Sequence, residues 1–341
     1  MKALIVRLSS IGDVVHTLPA LAALSRAGWT ASWVVEPAAR PLLEGHPLLC
    51  ETFCAPAARA FGLGAAREGM TRLRAARCDV ALDFQGLWKS ALWTRLSGAP
   101  RTLGFAPAER REPASALLLG ERVALRSGLR HVIDKNLSLL GPLGIEAIGS
   151  REFPLPPLTA ESARVGEELA RGGLREFVIL NPGGGWTSKL WPADRFGSLA
   201  RELAERGLVP LVTWGPGEDV LADRVVAASG GAARKAFPTS LRDYVALARR
   251  ARLVVAADTG PLHIACALSV PVVALFGPTD PARNGPFAAA DEVVRRAPPC
   301  APCYRRACPR HRGVMEGIST GEVLAAARRR LEAGRAETRA V

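Results

Sequence analysis

The sequence predicts an α/β protein of two domains, each built on a parallel sheet covered by helices. Apolar runs of strand length alternate with helical patterns through both halves of the chain, which favours parallel sheets with right-handed crossovers. At 341 residues the chain is too long for one typical core and suits two. The segment 144–158, with prolines at 154, 156 and 157, is the expected linker. We therefore predict domains over 1–155 and 156–325, followed by a basic C-terminal tail over 326–341.

Seven short apolar runs carry the strand prediction. Ligands of open α/β sheets bind at the carboxyl ends of the strands, so the loops that follow these runs are the candidate functional segments. The predicted strands span residues 3–8, 31–35, 80–83, 177–180, 208–214, 253–258 and 270–276.

A glycine-rich loop follows the predicted strand 177–180. It reads Asn181-Pro-Gly-Gly-Gly-Trp-Thr-Ser-Lys189-Leu-Trp-Pro192, and a helical pattern begins at Pro192 and runs to about residue 206. Glycines let backbone N–H groups approach an anion, Thr187 and Ser188 add hydroxyl donors, and Lys189 adds a positive charge. A strand, such a loop and a helix N-terminus form a natural phosphate-binding corner. The spacing is not that of a Walker loop, and the structural alternative is a turn with a solvated lysine.

A second corner follows the predicted strand 253–258. Asp258 and Thr259 stand at its carboxyl end, and the helix that follows has Pro261 at its first position. This is a ligand-binding position of an open sheet. The structural alternative makes Asp258 or Thr259 a plain helix N-cap.

A third corner lies at the amino terminus. A strand is followed by the turn Ser9-Ser-Ile-Gly12-Asp13 and a helix predicted over 14–27. Only one glycine is present where a dinucleotide fingerprint requires three, so the sequence does not favour a nicotinamide cofactor. Asp13 is a candidate functional carboxylate, and the alternative is that it caps its helix.

Positive charge is concentrated toward the C-terminus. The net charge is +13, and residues 295–341 contain eleven arginines against four glutamates. This cluster is expected to attract anionic lipid headgroups or a phosphorylated acceptor. The chain has no recognised nucleic-acid-binding motif, so no nucleic-acid partner is expected. No run of 18 or more apolar residues occurs, and the first apolar run is broken too early for a signal peptide, so we expect a cytoplasmic protein.

The cysteines raise the question of a metal site. There are seven, an odd number, and we expect them to be reduced. Cys300, Cys303 and Cys308 lie close to His311, but the second ligand pair of a structural zinc site is absent. Thiols in a compact loop are the favoured interpretation, and we expect neither a metal nor another cofactor.

Four segments, in order, resemble the bacterial lipopolysaccharide heptosyltransferases, glycosyltransferase family 9. The first two contain Ser-Ser-Ile-Gly-Asp and Gln-Gly-Leu-x-Lys-Ser and are more similar to heptosyltransferase I than to heptosyltransferase II. The resemblance covers about residues 1–325. It implies a GT-B fold, in which two Rossmann-like domains with parallel sheets face a central cleft, the N-terminal domain binding the acceptor and the C-terminal domain ADP-heptose. The segments are Val6-Arg-Leu-Ser-Ser-Ile-Gly-Asp13, Asp83-Phe-Gln-Gly-Leu-Trp-Lys89-Ser, the Lys189 loop and Asp258-Thr-Gly-Pro-Leu-His263.

The chemistry of sugar transfer gives these segments roles. Asp13 is the candidate base for the acceptor hydroxyl. Because a carboxylate at a helix N-terminus is a weak base, proton removal is expected late, as the new sugar–oxygen bond forms. Lys189, with Thr187 and Ser188, is placed to neutralise the departing diphosphate, and the helix after Asp258 offers backbone donors. The sequence has no Asp-x-Asp motif for a divalent metal. A single attack by the acceptor inverts the anomeric centre.

The resemblance implies the ligands of each domain. Asp258 would bind heptose hydroxyls and Glu218 the ribose hydroxyls, and Thr259, Gly260 and His263 complete the nucleotide-sugar site with the Lys189 loop. The implied acceptor is Kdo-lipid A, on the anionic cytoplasmic face of the inner membrane, where the enzyme would be peripheral. Kdo carries a carboxylate and lipid A carries phosphates, so basic residues are expected around Asp13, unless they are ordinary solvated charges. The acceptor-binding candidates are Lys89 and, on one predicted helical stretch, Arg130, His131 and Lys135.

Other functions share parts of this pattern. A family 9 enzyme for another core position or another sugar would keep all four segments. A nucleotide-sugar epimerase would need acid and base groups on the sugar instead of an acceptor site. A binding protein without catalysis would keep the Lys189 loop and have no use for Asp13.

Overall fold

The computed structural model describes residues 1–55, 63–308 and 314–339. The chain forms two compact units, Met1–Pro157 and Leu158–Val341. Their boundary falls inside the proline-rich segment 144–158.

The first unit contains a six-stranded sheet with helices. The sheet order is β3-β2-β1-β4-β5-β6, and all neighbouring strands are parallel. In the part of the unit that the structure describes, the strands are β1 (Lys2–Val6), β2 (Thr30–Val35), β3 (Leu49–Cys54), β4 (Val80–Asp83), β5 (Arg101–Phe105) and β6 (Glu121–Val123), and the helices are α1 (Ile11–Val15), α2 (Leu18–Arg26), α3 (Leu63–Ala75), α4 (Trp88–Leu96) and α5 (Val132–Ser138).

The register of the central strands aligns their carboxyl ends. Val6 of β1 lies opposite Val34 of β2 and Asp83 of β4. The loops that leave these three strands therefore meet at one edge of the sheet. The helix predicted over 14–27 is in fact two helices, because Pro19 lies in the first turn of α2 and its missing N–H suits a helix start.

The second unit repeats the plan. Its strand order is β12-β11-β10-β7-β8-β9, again with parallel neighbours. In the described residues the strands are β7 (Phe177–Asn181), β8 (Val209–Val212), β9 (Arg234–Lys235), β10 (Leu253–Ala257), β11 (Val272–Phe276) and β12 (Glu292–Arg295), and the helices are α6 (Thr159–Arg171), α7 (Ala193–Ala204), α8 (Asp219–Ala228), α9 (Leu241–Ala248), α10 (Gly260–Ala267), α11 (Pro281–Asn284) and α12 (Thr320–Arg339).

The basic C-terminal segment is largely helical and packed. Ala326 and Ala327, on α12, are fully buried in the core of the second unit. Arg330 is 4% exposed and binds Asp291 at 2.8 Å, and Arg329 pairs with Glu292 at 2.7 Å. Part of the positive charge of this segment is therefore neutralised by acidic residues at the edge of the sheet.

No helix among the described residues is long and apolar enough to cross a membrane.

Candidate active site

Asp13 is bound to a buried arginine that the sequence analysis missed. It lies in the first turn of α1, and its Oδ1 is 2.5 Å from Nη2 of Arg7. Its Oδ2 accepts hydrogen bonds from the backbone N–H of Ser10 at 3.1 Å and from the Ser10 hydroxyl at 3.0 Å. The Arg7 side chain is 7% exposed and that of Asp13 is 29% exposed, so the carboxylate is the accessible member of the pair. Asp13 therefore stabilises the start of its helix and also presents a partly exposed carboxylate.

The Asp83-Phe-Gln-Gly segment holds this loop from the neighbouring strand. The backbone oxygen of Phe84 accepts a hydrogen bond from Nη1 of Arg7, and Oε1 of Gln85 accepts one from the backbone N–H of Leu8 at 2.8 Å. Both contacts join the end of β4 to the loop after β1. The segment that resembles the family pattern thus fixes the arginine that binds Asp13.

A fully buried ion pair supports the same segment. The Asp83 carboxylate accepts hydrogen bonds from the N–H groups of Gln85 and Gly86 and binds Nη2 of Arg110 at 2.6 Å. Nε of Arg110 donates to the hydroxyl of Ser115 at 2.9 Å. Both charged side chains have no exposed surface, so this pair is structural.

Lys89 is close to the Asp13 loop but is already paired. Its Nζ is 2.5 Å from Oε1 of Glu36, and the two side chains are 43% and 21% exposed. Glu36 follows β2, and its backbone N–H donates to the oxygen of Leu8 at 2.9 Å. The Glu36 carboxylate therefore lies in the region where the sequence predicts a cluster of basic residues.

Two of the other predicted acceptor residues lie on a helix that packs beside α1. His131 is the N-cap of α5, and its ring meets that of His16 edge to face, with centroids 6.0 Å apart. Nδ2 of Asn136 donates to the backbone oxygen of His16 at 3.0 Å, and the N–H of Lys135 donates to the oxygen of His131 at 3.1 Å. Arg130 is exposed and precedes the helix, so it does not share the predicted helical stretch.

In the second unit Glu218 joins two loops. Its Oε1 accepts from the N–H of Gly184 at 2.8 Å and its Oε2 from the N–H of Gly215 at 2.9 Å. A Cβ at Gly183 would lie 2.0 Å from Oε2 of Glu218, so a larger residue there would displace the Glu218 carboxylate from this position. A Cβ at Gly184 would lie 3.0 Å from the methyl of Thr259. Each carboxylate oxygen has more than one lone pair, which leaves Glu218 acceptor capacity for a ribose hydroxyl.

The Lys189 and Asp258 corners meet in one polar cluster. Nζ of Lys189 is 2.6 Å from Oδ2 of Asp258 and 3.0 Å from its backbone oxygen, and it lies 4.4 Å from the centroid of the Trp186 ring. Oδ1 of Asp258 is 3.1 Å from Nε2 of His263 and 2.5 Å from Nδ2 of Asn284. An ammonium has three donors, and Asp258 engages two of them. The cluster brings together three predicted residues and adds Asn284, which the sequence analysis missed.

The charge state of Asp258 is fixed by these contacts. Burial by itself raises the pKa of Asp258, but the hydrogen bond from His263, with the electrostatic effects of His263 and Lys189, outweighs it. The pKa of Asp258 therefore lies well below its usual range. Asp258 is ionised throughout the neutral range and acts as an acceptor of hydrogen bonds.

Thr259, not Asp258, is the residue that caps α10. It stands at the N-cap position, and Gly260 is the first helical residue. The hydroxyl of Thr259 donates to the oxygen of Ala257 at 3.2 Å. The helix start therefore lies beside the Asp258 carboxylate, and the Asp258 side chain is free of the capping role.

The two hydroxyls of the Lys189 loop bind the cysteine-bearing segment. Oγ1 of Thr187 donates to the backbone oxygen of Arg306 at 3.3 Å, and Oγ of Ser188 donates to that of Arg305 at 3.0 Å. All seven cysteines are free thiols. No group of three His, Cys, Asp or Glu within 1–55, 63–308 and 314–339 is placed to hold a metal, and His311 lies outside those ranges.

Known proteins match this chain over most of its length. The profile of glycosyltransferase family 9 (heptosyltransferase) matches residues 67–312. Lipopolysaccharide heptosyltransferase 1 of Pseudomonas aeruginosa is 32% identical over 90% of this chain and 87% of its own. Lipopolysaccharide heptosyltransferase 2 of Escherichia coli K12 is 27% identical over 86% of this chain and 88% of its own. The structure of E. coli heptosyltransferase WaaC with ADP-2-deoxy-2-fluoro heptose superposes with a TM-score of 0.75 and 24% identity, covering 96% of this chain and 99% of that one.

The two sheets and their flanking helices are the α/β architecture of the GT-B heptosyltransferases, as the sequence predicts. The chain belongs to glycosyltransferase family 9 and is a heptosyltransferase of the lipopolysaccharide core. The heptosyltransferase 1 and heptosyltransferase 2 relatives have similar identity to it, so sequence identity does not distinguish between these two types.

Proposed function

We propose that this enzyme transfers L-glycero-D-manno-heptose from ADP-heptose to a Kdo residue of the lipopolysaccharide inner core. The heptosyltransferase 1 relative at 32% identity supports the acceptor, and the complex of WaaC with a fluorinated ADP-heptose supports the donor. The observation that carries the proposal is the Asp13 carboxylate, paired with Arg7 and still 29% exposed. A protein that only binds a nucleotide sugar has no use for such a group.

Asp13 is the proposed base. The ion pair with Arg7 favours the charged carboxylate, which makes Asp13 a weak base but one that is always ready to accept a proton. The acceptor hydroxyl becomes acidic only as its oxygen bonds to the anomeric carbon. The proton therefore moves to Asp13 late in the transition state, and one displacement inverts the anomeric centre.

Lys189 and the start of α10 are the proposed sites of the leaving diphosphate. Asp258 occupies two of the three ammonium donors and leaves one for a phosphate oxygen. The backbone N–H groups at the start of α10, after Thr259, add partial positive charge. Thr187 and Ser188 hold the loop in place through the backbone oxygens of Arg306 and Arg305, and we propose that both lie beside the diphosphate. Glu218 accepts hydrogen bonds from the ribose hydroxyls. Asp258, with His263 beside it, binds the heptose and accepts hydrogen bonds from its hydroxyls.

The acceptor carries negative charge, and Lys89, Arg130, His131 and Lys135 are its proposed contacts in the first unit. Exposed arginines of the C-terminal segment are proposed to attract the anionic face of the inner membrane, with the enzyme peripheral on the cytoplasmic side. Arg329 and Arg330 are paired with acidic residues. We therefore propose that other arginines, including the exposed Arg305 and Arg306, attract the anionic membrane surface.

A transfer assay with three acceptors tests the proposal. Purified enzyme with ADP-heptose and Kdo-lipid A should release ADP and give an acceptor one heptose heavier. ADP-heptose incubated with the enzyme alone should remain unchanged. Conversion of its sugar would instead indicate an epimerase. An acceptor that already carries one heptose should be a poor substrate, and preferential transfer to it would move the assignment to a later core position.

A further inference from the structure

Asn284 is a buried amide next to the proposed donor site. It is the last residue of α11, in the loop after β11, and is 7% exposed. The following residue is Gly285, where a Cβ would lie 2.6 Å from the backbone oxygen of Pro281. The turn is therefore closed tightly, and the position of Asn284 is fixed by the backbone.

The partner of Asn284 determines which way its amide faces. Nδ2 of Asn284 is 2.5 Å from Oδ1 of Asp258. An ionised carboxylate only accepts hydrogen bonds, so the amide nitrogen must be the end that faces it. The amide oxygen is then the end directed away from Asp258.

That oxygen is a buried acceptor without a partner. Oδ1 of Asn284 has no hydrogen-bond partner in the part of the chain that the structure describes. Buried polar atoms are nearly always hydrogen-bonded, because leaving one unpaired forfeits its interaction with water. An unpaired acceptor beside a ligand site indicates that a ligand donates to it.

The chemistry of the cluster restricts that ligand. Lys189, His263 and the amide nitrogen of Asn284 approach Asp258 as donors, whereas the amide oxygen of Asn284 is an acceptor beside it. An ionised phosphate has acceptors only and is not bound by an amide oxygen. A hydroxyl both donates and accepts. Two neighbouring acceptors, one on Asp258 and one on Asn284, suit a sugar that presents more than one hydroxyl.

We infer that Asn284 recognises the donor sugar: its amide nitrogen holds Asp258, and its amide oxygen accepts a hydrogen bond from one hydroxyl of the heptose. This inference rests on the proposed donor. It gives the enzyme a way to distinguish the nucleotide sugar from the nucleotide product, because ADP lacks the heptose hydroxyl.

The test is a double-mutant-type cycle that combines a change at Asn284 with the removal of one heptose hydroxyl and measures the binding affinity. Calorimetry compares wild type and Asn284→Leu with ADP, with ADP-heptose, and with ADP-heptose analogues in which each heptose hydroxyl is replaced in turn by hydrogen. We expect Asn284→Leu to bind ADP as wild type does and to bind ADP-heptose about 3- to 10-fold more weakly, the scale of one hydrogen bond. One deoxy analogue should lose a similar factor with wild type and nothing further with the variant.

Further variants separate recognition from folding. Asn136→Leu replaces a buried asparagine of the first unit and should leave the ADP-heptose to ADP affinity ratio unchanged. Asn284→Ser keeps a small polar group, and part of the lost affinity should return with it. Equal loss of ADP and ADP-heptose binding in Asn284→Leu would show a structural role and overturn the inference, as would unchanged binding of both. A wild type that binds ADP-heptose no better than ADP, or transfers no heptose, would instead reject the proposed function.

Discussion

The guanidinium of Arg7 lies 2.5 Å from the carboxylate of Asp13, and the Arg7 side chain is buried while that of Asp13 reaches the surface. The end of β1 therefore places the buried guanidinium of Arg7 directly beneath the more exposed carboxylate of Asp13. Gln85 and the backbone oxygen of Phe84 hold this arrangement from the adjacent strand. This arrangement fits the role of base that we propose for Asp13.

Asp13→Asn should abolish most of the turnover. The amide keeps the size of the side chain but cannot accept a proton, so we expect kcat to fall by on the order of 10² or more, with ADP-heptose affinity nearly unchanged. The measurement is a transfer assay with purified acceptor, beside donor titration by calorimetry. Ser10→Ala is the matched control, since it removes one contact to the carboxylate and leaves the base. Turnover close to that of wild type in Asp13→Asn would reduce this residue to a helix cap.

Lys189→Ala should weaken the binding of both ADP and ADP-heptose. A charge-assisted hydrogen bond to an ionised group is worth about 1.5–3 kcal/mol, or roughly a 10- to 150-fold change in Kd. The control is Lys235→Ala, because Lys235 also pairs with an aspartate, Asp223 at 2.6 Å, and lies 5.2 Å from a tryptophan ring. Calorimetry should show ADP affinity lost in the first variant and kept in the second. Equal ADP affinity in both would place Lys189 outside the diphosphate site.

The sequence predicts seven of the described strands and misses the four edge strands, β3, β6, β9 and β12, together with β5, which lies inside the first sheet. β1, β4, β7 and β10 are continuous apolar runs because both of their faces are covered by helices. The missed edge strands, such as β6 with Glu121-Arg-Val123 and β9 with Arg234-Lys235, are short and polar, because an edge strand is partly solvated.

The sequence predicts some residues of the candidate site but not the partners that they contact. Asp13, Lys189 and Asp258 stand in loops whose glycines, hydroxyls and helix starts are visible in the sequence. Their partners are not visible, because pairing depends on which strands are neighbours. Glu36 reaches Lys89 only because β2 and β4 flank β1, and Asn284 reaches Asp258 only because β10 lies beside β11.

Ionised Asp258 should stabilise the second unit in a pH-dependent way. Its pKa in the folded protein is depressed from an ordinary value of 3.8, so its contribution is complete above about pH 4 and declines as the pH falls below that value toward the folded-state pKa. The difference in unfolding free energy between wild type and Asp258→Asn should therefore be larger near about pH 6 than near about pH 3. Urea unfolding at several pH values measures it. Asp223→Asn, at an exposed aspartate, is the control, and a difference independent of pH would contradict the ion-pair account.

Arg110→Met should destabilise the first unit. It leaves Asp83 as an unpaired, fully buried carboxylate, and breaking a buried pair in this way costs about 3–5 kcal/mol. Arg126→Met is the matched control, because the Arg126–Glu146 pair is about two-thirds exposed and such pairs contribute about 1 kcal/mol or less. Denaturant unfolding should show the large loss only in Arg110→Met. A loss of similar size in both variants would argue against a structural role for the buried pair.

The acceptor contacts can be tested by the charge balance around Lys89. Lys89→Ala with Lys135→Ala should raise the acceptor KM and leave ADP-heptose affinity intact, because the anionic acceptor loses attraction and Glu36 loses its partner. Glu36→Gln should act in the opposite direction and lower the acceptor KM, since it releases the Lys89 charge. Both effects should shrink as salt rises, because exposed charges are screened over about 8 Å at physiological ionic strength. An acceptor KM that is the same in all three proteins at low salt would remove these residues from the acceptor site, and activity on a neutral sugar alone would reject Kdo as the acceptor.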